Sequence, residues 1–137
     1  MNKKLNLYNN EQIPVLGYGT WLIKNENAEE CVKTALEIGY RHIDTAQAYG
    51  NEEGVGKGIK ASGLKREEIY VTTKVEGDIK TYEEAKRSID ESLRKLDLDY
   101  VDLILIHCPQ PWAEFRGEKR YFKENIEVWK ALEEAYE

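Results

Sequence analysis

At 137 residues the chain has the length of a single domain, while a complete eight-stranded β/α barrel takes about 250. Lys and Arg total 20 against 26 Asp and Glu, a net charge of −6, so the surface repels phosphate backbones and no nucleic-acid partner is expected. Cys31 and Cys108 lie far apart without metal-ligand spacing; this argues against a disulfide framework or a metal site and for a reducing cytoplasm. No stretch approaches the roughly 20 apolar residues of a membrane span, and no apolar run follows the charged first residues, so neither anchor nor export signal is expected.

Strand and helix patterns alternate along the chain. Residues 5–8 and 12–14 flank Asn9-Asn10-Glu11 and predict a short hairpin. Residues 15–18 predict the first core strand, ending in Gly19-Thr20-Trp21. A helix follows over about 28–38, with Asn27 as its cap, Glu30 three residues on and Gly39 as its stop. Ala28, Cys31, Val32, Ala35, Leu36 and Ile38 fall near helical spacing on one face. A second strand over 41–45 leads to a helix from about Asn51 to Gly63. A third strand over 69–75 leads to a helix whose Thr81-x-x-Glu84 start is a capping box. A fourth strand over 101–107 precedes a loop with Pro109 and Pro111. The last helix, about 122–136, stripes Ile126, Trp129 and Leu132 along one side. Four β/α units in a row behind a hairpin predict an α/β fold with a parallel sheet, the first four units of a (β/α)8 barrel.

Side chains alternate across a strand, which groups Asp44 with His42, Lys74 with Thr72 and Tyr70, and His107 with Leu105 and Leu103. Ile43, Val71, Ile104 and Ile106 take the other face, suited to packing under helices. The polar set therefore faces a barrel interior, at the strand ends where β/α enzymes place their chemistry. A phenol near its ordinary pKa of about 10 is a poor proton donor at neutral pH unless its anion is stabilised. An ammonium nearby provides that stabilisation. Lys74 is the candidate to act on Tyr49, Asp44 to hold Lys74, and His107 to bind a substrate oxygen. That set suits carbonyl reduction, with hydride reaching carbon while the phenol protonates oxygen.

The Gly17-Tyr18-Gly19-Thr20-Trp21 segment, the run from Gly39 through Asp44 and Tyr49 to Glu52, the Thr73-Lys74 strand end and Leu105-Ile106-His107 together resemble the aldo-keto reductases. The resemblance covers almost the whole chain. It implies a half (β/α)8 barrel over residues 1–137 and reduction of aldehydes or ketones with NADPH, NADH being possible, and no metal. By position, Asp44, Tyr49, Lys74 and His107 match the family's catalytic tetrad, with Tyr49 as general acid. Gly19, Thr20, Trp21 and Asp44 match the nicotinamide–ribose contacts. Trp21, Tyr49, His107 and Trp112 are expected to line the substrate pocket. The family often has tryptophan after the catalytic histidine; here Cys108 stands there, with Trp112 four residues later, implying a different pocket wall. In the family the fifth to eighth strands grip the carboxamide, stack on the nicotinamide and hold the adenosine phosphate. The chain stops at Glu137, where the fourth helix would finish, so the isolated chain is expected to turn over little and to bind cofactor weakly.

Several features have plainer readings. His42 reads as a packed interior histidine with local hydrogen bonds. Gly54-x-Gly56-x-Gly58 lies inside a helix pattern without the strand of a dinucleotide fingerprint, and close helix–sheet packing is the simpler account. His107-Cys108 has no further ligands for a metal. Open edges of a half barrel predict self-association, with Leu103 and Leu105 covered by a partner. The alternative function is a non-catalytic cofactor-sensing or assembly module built on the same fold.

Overall fold

The computed structural model describes residues 3–137. Its amino-terminal hairpin pairs β1 (Lys4–Asn6) with β2 (Gln12–Pro14), Leu5 opposite Ile13. Asn10, at a left-handed φ of 66°, makes the reversal, helped by Asn9 Oδ1 accepting from Glu11 N at 3.1 Å; asparagine tolerates that backbone region better than most residues. The hairpin lies against the amino-terminal ends of the core strands, where Lys4, Gln12 and Pro14 share a cleft with Arg41 and Tyr70.

Four parallel strands form the sheet in chain order: β3 (Tyr18–Gly19), β4 (His42–Asp44), β5 (Tyr70–Val75) and β6 (Leu103–Ile106). Helices α1 (Asn25–Glu37), α2 (Glu52–Ala61) and α3 (Tyr82–Leu96) connect them, and α4 (Phe122–Tyr136) follows β6. Consecutive strands joined by a helix and paired side by side are the β/α repeat expected. Among the described residues β3 and β6 each have one unpaired edge.

The helix-side face of the sheet is apolar, as strand alternation requires. Ile43 and Val71 are fully buried against Val32 and Leu36 of α1, Val55 of α2 and Leu96 of α3. Val75 packs with Ala85 and Ile89 of α3 and with Val128 and Leu132 of α4. On the opposite face Leu105 is 40% exposed, having nothing across from it. At the amino-terminal ends of β5 and β6, Arg66 Nη2 meets Asp102 Oδ2 at 2.6 Å. The same carboxylate oxygen accepts from Val71 N at 2.8 Å, and the guanidinium lies 4.0 Å from the Tyr100 ring centroid. This clasp ties the two strands together opposite the end that carries Lys74 and His107.

Several boundaries differ from the sequence reading. The first core strand is only Tyr18–Gly19, because Val15 continues the hairpin through a bond to Lys3 O at 2.9 Å. Helix α1 begins at Asn25 rather than Ala28. Asn27 is already in the first turn, its N–H bonded to Lys24 O at 2.9 Å, and so cannot be the cap. Ile38, expected on the packed face, ends the helix and is 61% exposed. The α4 stripe divides: Leu132 packs inward beside Val128 and Ala131, whereas Ile126 and Trp129 face outward at 57% and 54% exposure. Helix α3 starts as expected, with Thr81 Oγ1 accepting from Glu84 N at 3.3 Å.

The three glycines of α2 pack against helices, not against the sheet. A Cβ on Gly56 would stand 2.1 Å from Leu96 O, and one on Gly54 2.3 Å from Asn25 O. A Cβ on Gly58 would meet Val32 and the Glu29 carbonyl at 2.7 Å. Their absent side chains let the backbones of α1 and of the end of α3 approach the α2 backbone.

Candidate active site

Three strands and one turn deliver the four residues expected to act together. Asp44 ends β4, and Lys74 is the fifth residue of β5. His107 follows β6 and continues its ladder by donating its N–H to Val75 O at 3.0 Å. Tyr49 closes the short 3-10 turn Gln47–Tyr49, and Gly50, at a φ of 65°, reverses the chain into α2. That left-handed backbone is one glycine adopts without strain.

Lys74 is the hub of the cluster. Its Nζ donates to Asp44 Oδ2 at 2.8 Å, to Thr45 O at 2.8 Å and to Tyr49 Oη at 3.2 Å. An ammonium has three donors and no more, so every one is used. The Lys74 side chain is 11% exposed, which holds its charge inside the cluster rather than in water. The Tyr49 ring meets His107 edge-on at 5.5 Å between centroids, and His107 meets Trp112 edge-on at 5.3 Å. Phe115 extends the aromatic row, 6.3 Å from Trp112.

Burial first, and then the positive charge of Lys74, push the His107 imidazole below its ordinary pKa, with Asp44 opposing. At neutral pH His107 is therefore uncharged, with one ring nitrogen donating and the other accepting. Its Nδ1 is buried without a hydrogen-bond partner among the described residues. His42 stands apart from the cluster: its Nε2 pairs with Thr72 Oγ1 at 2.9 Å. Burial, the largest influence on it, also lowers its pKa.

The segment after β3 is held from beneath and open above. Thr20, fully buried, donates its N–H and its hydroxyl to Asp44 O at 2.9 and 3.1 Å. Trp21 is 68% exposed, and a Cβ placed on Gly19 would meet nothing within 4 Å. The space beside Gly19 is therefore open, next to Asp44, its partner in the β3–β4 register.

Sequence reasoning missed the residues that shape this loop. Asn51 is fully buried; its Nδ2 donates to Thr20 O and Ile23 O, both at 2.8 Å, and its Oδ1 accepts from Thr45 Oγ1 at 3.0 Å. It thereby ties the Tyr49 loop to the segment after β3. Gln47 and the buried Glu52 tie the same loop to β5 and α3. The available signal was a set of polar side chains crowded between a buried strand and a helix, where each must find a partner. Cys108 is 3% exposed and faces Gly77, where a Cβ would come within 2.9 Å of the Cys108 Cβ. The aromatic beside His107 is therefore Trp112. Among the described residues no group of three or more His, Cys, Asp or Glu is placed to hold a metal, and no helix is long and apolar enough to cross a membrane.

The model of the aldo/keto reductase family matches residues 15–137. The chain belongs to the aldo/keto reductase family. Among relatives of this reductase family, a glyoxal reductase of Bacillus subtilis (strain 168) is 44% identical over 131 residues, covering 95% of this chain and 44% of that protein. A 9,11-endoperoxide prostaglandin H2 reductase of Trypanosoma cruzi (strain CL Brener) is 43% identical, covering 96% of this chain and 43% of its own length. The crystal structure of a Bombyx mori aldo-keto reductase in complex with NADP superposes with a TM-score of 0.82 at 35% identity, covering 98% of this chain and 46% of that one. The chain thus spans about half the length of the aldo-keto reductases it matches, and its four β/α units correspond to part of their fold.

Proposed function

We propose that this chain carries the proton-delivering part of an NADPH-dependent carbonyl reductase that converts aldehydes or ketones to alcohols. The observation that carries the reading is the single ammonium of Lys74 bonded at once to Asp44, Thr45 O and the Tyr49 phenol. When bound, the reduced nicotinamide supplies the hydride that reaches the carbonyl carbon. Tyr49 Oη gives its proton to the carbonyl oxygen, and the phenolate that forms is stabilised by Lys74 at 3.2 Å. Asp44 keeps Lys74 charged and aimed. Neutral His107 donates a ring N–H to the same carbonyl oxygen and orients it. Gly19, Trp21 and Asp44 hold the nicotinamide and its ribose, with Asp44 Oδ1 as the acceptor left over from the Lys74 bond. Thr20, fully buried with its N–H and hydroxyl given to Asp44 O, fixes the segment from beneath rather than touching the cofactor. Trp21 and Trp112, at 68% and 50% exposure, wall the substrate, and Phe115 extends that wall. In this reading the site is a cytoplasmic one, NADH is a weaker alternative to NADPH, and no metal takes part.

By itself the 137-residue chain is expected to turn over little and bind NADPH weakly, because the cluster supplies the nicotinamide end of a cofactor site alone. The test is therefore a chimera joining residues 1–137 to the remaining length of the Bacillus subtilis glyoxal reductase. NADPH consumption with glyoxal is expected, and Tyr49→Phe should lower kcat by about 10²- to 10⁴-fold. A Tyr49→Phe chimera as active as its parent would remove Tyr49 from the proton transfer. A chimera that binds NADPH without consuming it would favour the non-catalytic, cofactor-sensing role.

A further inference from the structure

We propose that Gln47 is the positioning residue for the Tyr49 phenol, through a polar clamp that fastens the turn to the strand carrying Lys74. The inference rests on the reading of Tyr49 as proton donor. Gln47 opens the 3-10 turn that Tyr49 closes. Its amide works in two directions. Nε2 donates to Ser88 O and to Ser92 Oγ on α3, both at 3.0 Å. Oε1 accepts from Glu76 N at 2.9 Å, two residues beyond Lys74.

Glu52 completes the clamp from the other end of the loop. Its carboxyl group is buried, accepting from Thr73 Oγ1 at 2.6 Å and from Ser92 Oγ at 3.3 Å. Ser92 Oγ therefore receives a hydrogen bond from Gln47 and passes one to Glu52. The path Gln47–Ser92–Glu52–Thr73 runs behind the turn and ends at the residue next to Lys74.

Tyr49, by contrast, has one side-chain hydrogen bond among the described residues, the 3.2 Å contact from Lys74. One bond at the tip of the phenol does not fix its ring, so its place follows from the turn. Within that turn Ala48 has no polar side chain, and Gln47 supplies the bonds outward. Only a primary amide offers two donors and an acceptor on one planar group here; a carboxylate would keep the acceptor and lose both donors. The other side of the loop is held separately by Asn51. Loss of the Gln47 bonds should thus loosen Tyr49 without unfolding the chain.

The test is NMR on the 137-residue chain, reading the ring-to-ring NOE between Tyr49 and His107, whose edge-on contact stands at 5.5 Å between centroids. Tyr49→Leu and His107→Gln assign the cross-peak. Gln47→Met removes all three bonds; the NOE is expected to vanish while amide shifts of α1 and α4 stay in place. Gln47→Glu, which keeps the acceptor for Glu76 N and loses both donors, should recover part of it. A Gln47→Met chain that is folded and keeps the NOE at wild-type intensity overturns the proposal. If Gln47→Met does not fold, Gln47→Glu decides by the same cross-peak: a weakened peak supports the clamp and wild-type intensity overturns it. The readout is independent of turnover, so failure of Tyr49 as the acid and failure of the clamp give different results.

Discussion

Asp44 Oδ2 and Lys74 Nζ stand 2.8 Å apart, on adjacent strands and 30 residues apart in the chain. Parallel pairing sets the relationship, since Asp44 is opposite Thr72 and Lys74 lies two residues further along the same face. With the ammonium 11% exposed, its anionic partner offsets a real desolvation cost. Asp44→Ala leaves that charge without its carboxylate and should destabilise the chain by about 2–4 kcal/mol. Urea unfolding of the two proteins measures it. An unchanged midpoint would mean that Thr45 O and solvent hold the ammonium alone.

The glycines of α2 give a sharp contrast. Gly56→Ala drives a methyl to 2.1 Å from a backbone oxygen, and backbone cannot swing aside as a flexible side chain does. A loss of about 2–3 kcal/mol is expected from that overpacking. Gly19→Ala has open space around its new methyl and should leave the melting temperature near wild type. Equal melting temperatures for the two variants would contradict helix–helix contact at Gly56.

Stability should depend on pH through two histidines. Burial holds both His42 and His107 below the ordinary value of 6.5. Between each folded value and 6.5 the unfolded chain binds a proton that the folded chain refuses, so stability rises with pH across that window. The stabilisation is full above about 6.5 and is lost as pH falls through the folded values. Urea midpoints at successive pH values below neutrality should therefore decline, and His42→Gln and His107→Gln should each flatten the decline. A wild-type profile level through this range would rule the effect out.

Self-association is the remaining expectation. Leu105, 40% exposed on the face away from the helices, and the edges of β3 and β6 that are unpaired among the described residues present apolar and hydrogen-bonding surface. Sedimentation velocity should show a dimer or larger species whose share grows with concentration. Leu105→Glu should shift it towards monomer. A wild-type chain that remains monomeric at every concentration would count against this surface as an interface.

The strand ends were legible because a period of two places Asp44, Lys74 and His107 on one face, and the register keeps them there. The start of α3 was legible because its Thr81 cap is decided locally. The start of α1 was not. Asn27 reads as the cap, but the helix starts two residues before it, at Asn25, whose Oδ1 accepts from Gly54 N, 29 residues away, at 2.8 Å. Gln47 and Glu52 were overlooked for a similar reason. A polar residue in a loop looks solvated until the elements that enclose it, here β5 and α3, are placed around it. The two-residue length of β3 depends on how far the hairpin runs before the chain enters the sheet, which no local pattern records.

Arg66 and Asp102 fasten β5 and β6 at one end, while Lys74 and His107 stand at the other. Alignment of those strands is thereby fixed at the far end from Lys74. Loops tolerate change better than the elements they connect, so the stretch from Cys108 to Tyr121 can be lengthened, shortened or recomposed while the backbone frame beneath it stays put.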